Sequence, residues 1–393
     1  MIYWYHIAVT LALVALSGVT AWNLARFRRL PSGSTALDNV MVSVLIPARN
    51  EERCIEACVR SLCTQTWANL EVIVLDDGSN DATPNILARL EAEFGHVLRV
   101  LRGIPLPEGW VGKPWACHQL SQAARGTVLL FTDADTVHSP TVVHSSVELL
   151  SRDKIDFFSL VPFQVMGTWA EHVVIPMVHV LYTAYLPNNL ILSHKSVSFS
   201  AANGQFMCFR RDVYDAIDGH ASVRNNIVED IALARRVKQH GFRIALVDGH
   251  RDVSCRMYTS LREVVEGFSK NFFPAMNFNV ALMVGFVIHL VVVWVMPWLW
   301  LFGVAITSII DPTPWPPELV IPAVVLPAIQ VFLATAIRGS IAMRFAMPSW
   351  HAFLMPLSAA MAAAIGINSM LWALSAKGPR WKDRQYSSTM LKP

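Results

Sequence analysis

The sequence predicts an α/β protein: a mostly parallel sheet with helices on both faces, preceded by a transmembrane anchor and followed by a helical membrane region. Three observations carry that prediction. Short apolar runs alternate with amphipathic ones through the middle of the chain, the order that builds βαβ units. Residues 2–23 and most of 279–375 are nearly free of charge. Over all 393 residues, 53% are apolar and 16% charged, with a mean hydropathy of +0.40, a balance typical of a membrane protein.

Taken in order, Ile2–Trp22 supplies about 20 uncharged residues, enough to span a bilayer at 1.5 Å per residue. A cleaved signal peptide is the rival reading. The stretch lacks a basic start and is followed by Arg26, Arg28 and Arg29, which favours a retained anchor over 1–25 with those arginines cytoplasmic. A soluble domain follows over 38–258. Strands are expected at Met41–Ile46, Glu71–Leu75, Val97–Leu101, Val128–Phe131, Asp156–Leu160 and Gln205–Phe209. Helices are expected at Glu51–Gln65, Asp81–Phe94, Pro114–Ala124 and Pro140–Ser151. Within this domain, 164–192 is rich in large apolar residues but carries His172, His179, Pro176 and Pro187, so it reads as an amphipathic stretch lying on the membrane. Residues 259–278 read as a second interfacial helix.

Transmembrane helices are expected within 279–376, at roughly 280–304, 318–337 and 350–374. The loop Asp311–Glu318 has no Lys or Arg, as an external loop should, and Arg338 and Arg344 mark a return to the cytoplasm. A span at 350–374 places Lys377, Arg380, Lys382 and Arg384 of the basic tail, 377–393, outside and against the positive-inside tendency. The expectation is therefore three or four spans, with the side of the C-terminus open and an inside C-terminus preferred. Trp294, Trp298 and Trp300 read as interfacial anchors.

Charge and cysteine usage exclude other classes. A net charge of +3 gives a nucleic-acid partner no support. The six cysteines form no Cys-X-X-Cys pair, and Cys54 and Cys58 fall one helical turn apart, which fits a reduced cytosolic domain. His118, His138 and His144 match no zinc spacing.

The chemistry concentrates at strand ends. Residues 128–135 read Val-Leu-Leu-Phe-Thr-Asp-Ala-Asp, an apolar run closing on two carboxylates. Alternate side chains leaving the carboxyl end of a parallel strand aim at the ligand crevice of such sheets. Two carboxylates with no Lys or Arg beside them suit a hard divalent cation, which commonly holds a phosphorylated ligand. Asp76-Asp77 ends an earlier run, and Glu229-Asp230 opens a later helix. Each has a plainer explanation. Asp76-Asp77-Gly-Ser forms a turn with an N-cap at Asn80 or Asp81, Glu229-Asp230 complements a helix dipole, and Lys113 is an ordinary surface lysine.

The motifs together carry a resemblance. Val42–Glu51, Leu75–Thr83, Thr132–Asp135 and Glu229-Asp230 resemble, in order and spacing, the family 2 glycosyltransferases of the GT-A fold. With Gly109-Trp-Val-Gly-Lys-Pro-Trp-Ala116 and the membrane segments, the chain is similar to the branch that glycosylates carotenoid, hopanoid-associated or sphingoid lipids, ceramide glucosyltransferases included. The resemblance implies that Pro47, Arg49, Glu51 and Asp77, with Asp76 beside them, surround the base and ribose of a nucleotide sugar. It implies that Asp133 and Asp135 hold Mn²⁺ or Mg²⁺ against the diphosphate and that Lys113 supports the phosphates. Asp230, beside Glu229, is then the general base, and Gly204 and Gln205 line the acceptor side. The family's Gln/Arg-X-X-Arg-Trp motif is missing. Glu263–Asn271 stands in its place, with Lys270 as the remaining positive charge for the leaving group.

The implied protein is a multi-pass enzyme of the cell (inner) membrane, with its catalytic domain cytoplasmic. Its partners are a nucleotide sugar, UDP-glucose before other UDP-hexoses, and a lipid acceptor. A polyprenyl-phosphate glycosyltransferase, with Arg251, Arg256 and Lys270 as a basic pocket, is one alternative, and a polysaccharide synthase another. A non-catalytic nucleotide-sugar-binding scaffold is the alternative of a different class.

Overall fold

The computed structural model describes residues 2–32 and 40–375, together with the backbone of 380–381 and 384–385. Residues 38–39 and the side chains of the basic tail lie outside the described residues. The chain divides into two compact units. Phe27–Val165 and Asn189–Met257 belong to one, a sheet unit. Met1–Arg26, Met166–Asn188 and Tyr258–Ser375 belong to the other, which holds the apolar helices.

The sheet unit is built on eight strands: β1 (Val42–Ala48), β2 (Leu70–Asp76), β3 (Leu98–Arg102), β4 (Val128–Thr132), β5 (Thr136–His138), β6 (Phe157–Gln164), β7 (Phe206–Arg210) and β8 (Ile244–Cys255). Their spatial order is β3-β2-β1-β4-β7-β6-β8-β5. Strands β1 to β4 pair in parallel, as do β6 and β8, while β7 runs antiparallel to β4 and β6, and β5 antiparallel to β8. Six strands and four helices fall where the sequence places them, within a few residues. Strands β5 and β8 were not anticipated. β1, β2 and β4 are buried on both faces, as parallel strands between helices must be. Leu62, Leu87 and Leu90 from the flanking helices join Val44, Ile46, Val72, Val74 and Leu130 in one core. Each such side chain contributes roughly 1.5–3 kcal/mol by leaving water.

Register decides what this sheet can do. Ala48 pairs with Asp76, so β1 and β2 end level with each other, and β4 ends beside them. Because β7 is antiparallel, Thr132 at the end of β4 pairs with Phe206 at the start of β7. The segments after β1, β2 and β4, and the one before β7, therefore share one edge.

In the other unit, four helices are long and apolar enough to cross a membrane: Ile2–Arg26, Val280–Ile310, Pro317–Arg344 and Ser349–Leu374. Polar side chains join them. Gln330 donates to the His6 carbonyl (2.8 Å) and Thr10 Oγ1 (3.0 Å), and Asn23 donates to the carbonyls of Thr183 and Leu186, both at 2.7 Å. The stretch expected on the membrane surface is a broken helix, Trp169–Val174, Pro176–Val180, Leu181–Tyr185 and Asn188–Ser193, with a capping box at Thr168 and Glu171. Val173, Val174, Ile175, Met177 and Val180 on it are buried, while Trp169 is exposed. Leu261–Ala275 forms the helix expected at 259–278, its start capped by Ser260 Oγ on the Glu263 amide at 3.2 Å. One expectation is overturned. Trp294 is fully buried and donates to Tyr185 Oη at 2.6 Å, so it is a packing residue and not an interfacial anchor.

Candidate active site

The shared edge of the sheet gathers most of the residues singled out in the sequence. Asn50 follows β1 in the left-handed region (φ +53°). That turn lets the Asn50 amide reach Ser79 Oγ (2.9 Å) while its side-chain oxygen takes the Asn80 amide (2.8 Å). Arg49 is thereby laid across the end of β2, donating to the carbonyls of Asp77 and Gly78. The Glu51 amide donates to Thr83 Oγ1 at 2.8 Å. Asp76 Oδ1 accepts the Ser79 amide at 3.0 Å, so this aspartate does serve the turn, as the plainer explanation has it. Arg49, Asp76 and Asp77 thus meet at the ends of β1 and β2, with Pro47 inside β1 and Glu51 just beyond it.

A second group stands at the ends of β4 and β7. Lys113, at the start of the helix Gly112–Ala123, places its Nζ 2.7 Å from Asp133 Oδ1 and 2.9 Å from Glu229 Oε1. Burial works against that ammonium, but the two carboxylates outweigh it and hold its pKa well above the ordinary lysine value. Asp230, next along the helix Glu229–Gln239, accepts the Gly204 amide at 2.8 Å and the Ile231 amide at 2.7 Å. Burial, reinforced by Glu229, pushes its carboxyl up to about 7, against the pull of Lys113 and the two amides. A Cβ at Gly204 would lie 3.1 Å from Lys113 Nζ, a tight contact, and at an ordinary 3.5 Å from both Asp230 Oδ2 and Glu229 Oε1.

Asp135 is the counterpart of Asp230. Burial, then the neighbouring Asp133 and Glu51 charges, raise its carboxyl to about 7. Its Oδ1 is buried without a hydrogen-bond partner. An orphaned carboxylate oxygen beside a second carboxylate, in an all-oxygen donor set, fits a divalent cation that takes its remaining ligands from water and phosphate. No cluster of three or more His, Cys, Asp or Glu set for a metal occurs among the described residues, so a phosphorylated ligand would have to complete the shell.

Gln205 was read from the sequence as acceptor-side. Its side-chain amide donates to Cys255 Sγ (2.9 Å) and accepts from Gln164 Nε2 (2.9 Å), and Cys255 in turn hydrogen-bonds Asp135. Gln164 and Cys255 were not identified from sequence. They lie at the ends of β6 and β8, and β8 itself was missed. Lys270, expected to serve the leaving group, stands on Leu261–Ala275 in the other unit.

Comparison with known proteins bears on the fold and the family of this domain. Residues 43–217 match Glycosyl transferase family 2. The 4,4'-diaponeurosporenoate glycosyltransferase of Staphylococcus haemolyticus is 27% identical over 272 residues, 68% of this chain and 69% of that protein. The beta-monoglucosyldiacylglycerol synthase of Trichormus variabilis is 36% identical over 116 residues, 29% of this chain and 24% of that protein. Among solved structures, a mannosyltransferase from Pyrobaculum calidifontis in complex with GDP-Man and Mn²⁺ superposes with a TM-score of 0.54 at 17% identity. The alignment covers 95% of this chain and all of that one, a likeness of fold. The chain carries a family 2 glycosyltransferase domain of GT-A fold, and it is a glycosyltransferase.

Proposed function

We propose that this glycosyltransferase moves a hexose from UDP-glucose to a hydroxyl or carboxyl of a membrane lipid, with inversion at the anomeric carbon. The observation that carries the reading is the cluster at the sheet edge. Lys113 Nζ lies within 3 Å of both Asp133 and Glu229, and Asp230, next in the chain after Glu229, is held by the Gly204 amide. The relatives, named for diaponeurosporenoate and for monoglucosyldiacylglycerol, support a lipid acceptor. Four helices long and apolar enough to cross a membrane support a multi-pass protein; the cell membrane and a cytoplasmic sheet unit belong to the same proposal.

In this scheme Arg49, Glu51 and Asp77 bind the base and ribose. Asp133 and Asp135 would hold Mn²⁺ or Mg²⁺, which when bound neutralises charge on the diphosphate. Lys113, freed from Asp133, meets the phosphates. Asp230 takes the proton from the acceptor hydroxyl as its oxygen bonds the anomeric carbon and the bond from that carbon to the phosphate oxygen breaks. The electron pair leaves with the nucleoside diphosphate. A carboxyl near 7 suits that task at neutral pH. A carboxylate acceptor arrives without a proton and has no need of the base. Lys270 and the acceptor-side roles of Gly204 and Gln205 belong to the same proposal.

Membranes containing the protein, incubated with Mn²⁺ and a panel of labelled nucleotide sugars, test this reading. Label should pass into the organic extract from one donor, UDP-glucose. Absence of lipid label from every donor, in membranes holding the native lipids, overturns the lipid acceptor.

A further inference from the structure

The membrane unit contains a charged side chain that the proposed reaction does not use. Arg338 lies on Pro317–Arg344, six residues and about 9 Å of helix before its end. It is 1% exposed. Its Nε donates to the His351 carbonyl at 3.3 Å, and both terminal nitrogens are buried with no hydrogen-bond partner. Among the described residues no carboxylate forms an ion pair with it. From Leu319 to Leu374 the chain has no Asp or Glu, and the buried Glu171 of the same unit accepts the amides of Gly167 and Thr168.

A guanidinium does not shed its proton to escape such a site. An ionised group inside a membrane protein is tolerated where a partner meets it. Among the described residues one carbonyl meets it, which leaves the place of a counter-anion to a ligand.

A second element leaves a polar group open beside Arg338. His351 is fully buried, its Nδ1 has no partner, and its Nε2 meets His172 Nδ1 at 2.8 Å. His172 is only half-buried and packs against Trp350, itself half exposed, so this side leads to the surface of the unit. The turn that carries His351 over the arginine passes through Ala346 in the left-handed region (φ +54°). A side chain there costs backbone energy that a shift of the turn would release.

We propose that Arg338, with His351 Nδ1 and His172, is an intramembrane anion site that takes the phosphate or carboxylate headgroup of an anionic lipid. Basic pockets between membrane helices hold such headgroups, and the apolar outer faces of these helices suit the acyl chains. The site is independent of the transfer reaction and stands whether or not that lipid is also the acceptor.

Thermal unfolding of the full-length protein in neutral detergent tests it, with phosphatidylglycerol, phosphatidylcholine of the same chains, or inorganic phosphate added at low and high salt. Phosphatidylglycerol should raise Tm above phosphatidylcholine. The difference should survive high salt, because a buried pair is little screened. Arg338→Met should abolish the difference yet equal or exceed the wild type in phosphatidylcholine, where the unpaired charge is only a cost. Arg262→Gln, which breaks an exposed surface pair, should keep the difference. Equal shifts from the two lipids, a difference that vanishes at high salt, the same difference in Arg338→Met, or an equal shift from inorganic phosphate overturns the lipid site. Should Arg338→Met not fold, native mass spectrometry of the wild type decides. One phosphatidylglycerol retained after phosphatidylcholine is stripped supports the site, and equal loss of both overturns it.

Discussion

Each unit holds a cation away from open water, and the two treat it in opposite ways. In the sheet unit Lys113 lies between Asp133 and Glu229, balanced by two carboxylates of its own chain. In the membrane unit Arg338 receives one backbone carbonyl. The first arrangement is closed but exchangeable, since a cation on Asp133 and a diphosphate near Lys113 can replace both halves of the ion pair without leaving a bare charge. The second is incomplete without a ligand. A cation drawn from open water can thus mark binding in two ways: an internal partner that a ligand replaces, or no charged partner among the described residues.

The contrast breaks most severely at Asp133. Asp133→Ala removes a proposed metal ligand and half of the lysine's compensation together. Sugar transfer should fall about 10³-fold, the several kcal/mol a Lewis-acidic cation supplies, and Mn²⁺ binding read by electron paramagnetic resonance should weaken in parallel. A smaller loss follows from disturbing the support behind Asp135. Gln205→Leu cuts the link between Gln164 and Cys255 and should weaken Mn²⁺ about 10- to 100-fold, the usual effect of losing a group that orients a metal ligand. Donor-independent folding, followed by circular dichroism, should be unchanged.

Lys113→Met leaves Asp133 and Glu229 facing each other uncompensated. It should cost about 2 kcal/mol in chemical denaturation, below the 3–5 typical of a fully buried pair because the ammonium keeps some contact with solvent. Mn²⁺ should restore part of that loss.

The raised carboxyls predict a pH effect of definite sign. Asp135 and Asp230 sit at about 7 against an ordinary 3.8. Between those values the folded chain binds more protons than the unfolded one, so stability falls as pH rises from about 4 to about 7. A cation on Asp135 offsets that cost, and Mn²⁺ should therefore raise Tm more at about pH 8 than at about pH 5. The smallest effect belongs to Gly204→Ala. Its Cβ meets the flexible end of Lys113, which can shift by a few tenths of an ångström, so transfer should drop only a few-fold with Tm nearly unchanged.

Much of this was legible in the sequence, for physical reasons that differ by region. Buried parallel strands need unbroken apolar runs, so β1, β2 and β4 stood out, and the carboxylates at their ends marked the edge that carries the candidate site. β5 is three residues long, and β8 runs through Asp248-Gly249-His250-Arg251-Asp252, a polar stretch that reads as a loop. The second half of the site went unseen with it. Cys255 reaches Asp135 directly and Gln164 joins it only through Gln205, across strands distant in sequence, and neither residue type announces a support role. Glu229 and Lys113 were both named, but not their ion pair, which depends on a helix start meeting a strand end. In the membrane unit apolar length was plain, whereas the burial of Trp294 and the isolation of Arg338 arise only from helix packing.

Asp230 carries the central claim, and one measurement addresses it most directly: the rate of sugar transfer to extracted lipid for wild type and Asp230→Asn across neutral pH. The account predicts a wild-type rate that climbs through about pH 7 as the carboxyl ionises. It predicts a variant about 10²- to 10⁴-fold slower with no such climb. A variant that matches the wild type would contradict the general base and leave an acceptor that arrives already ionised.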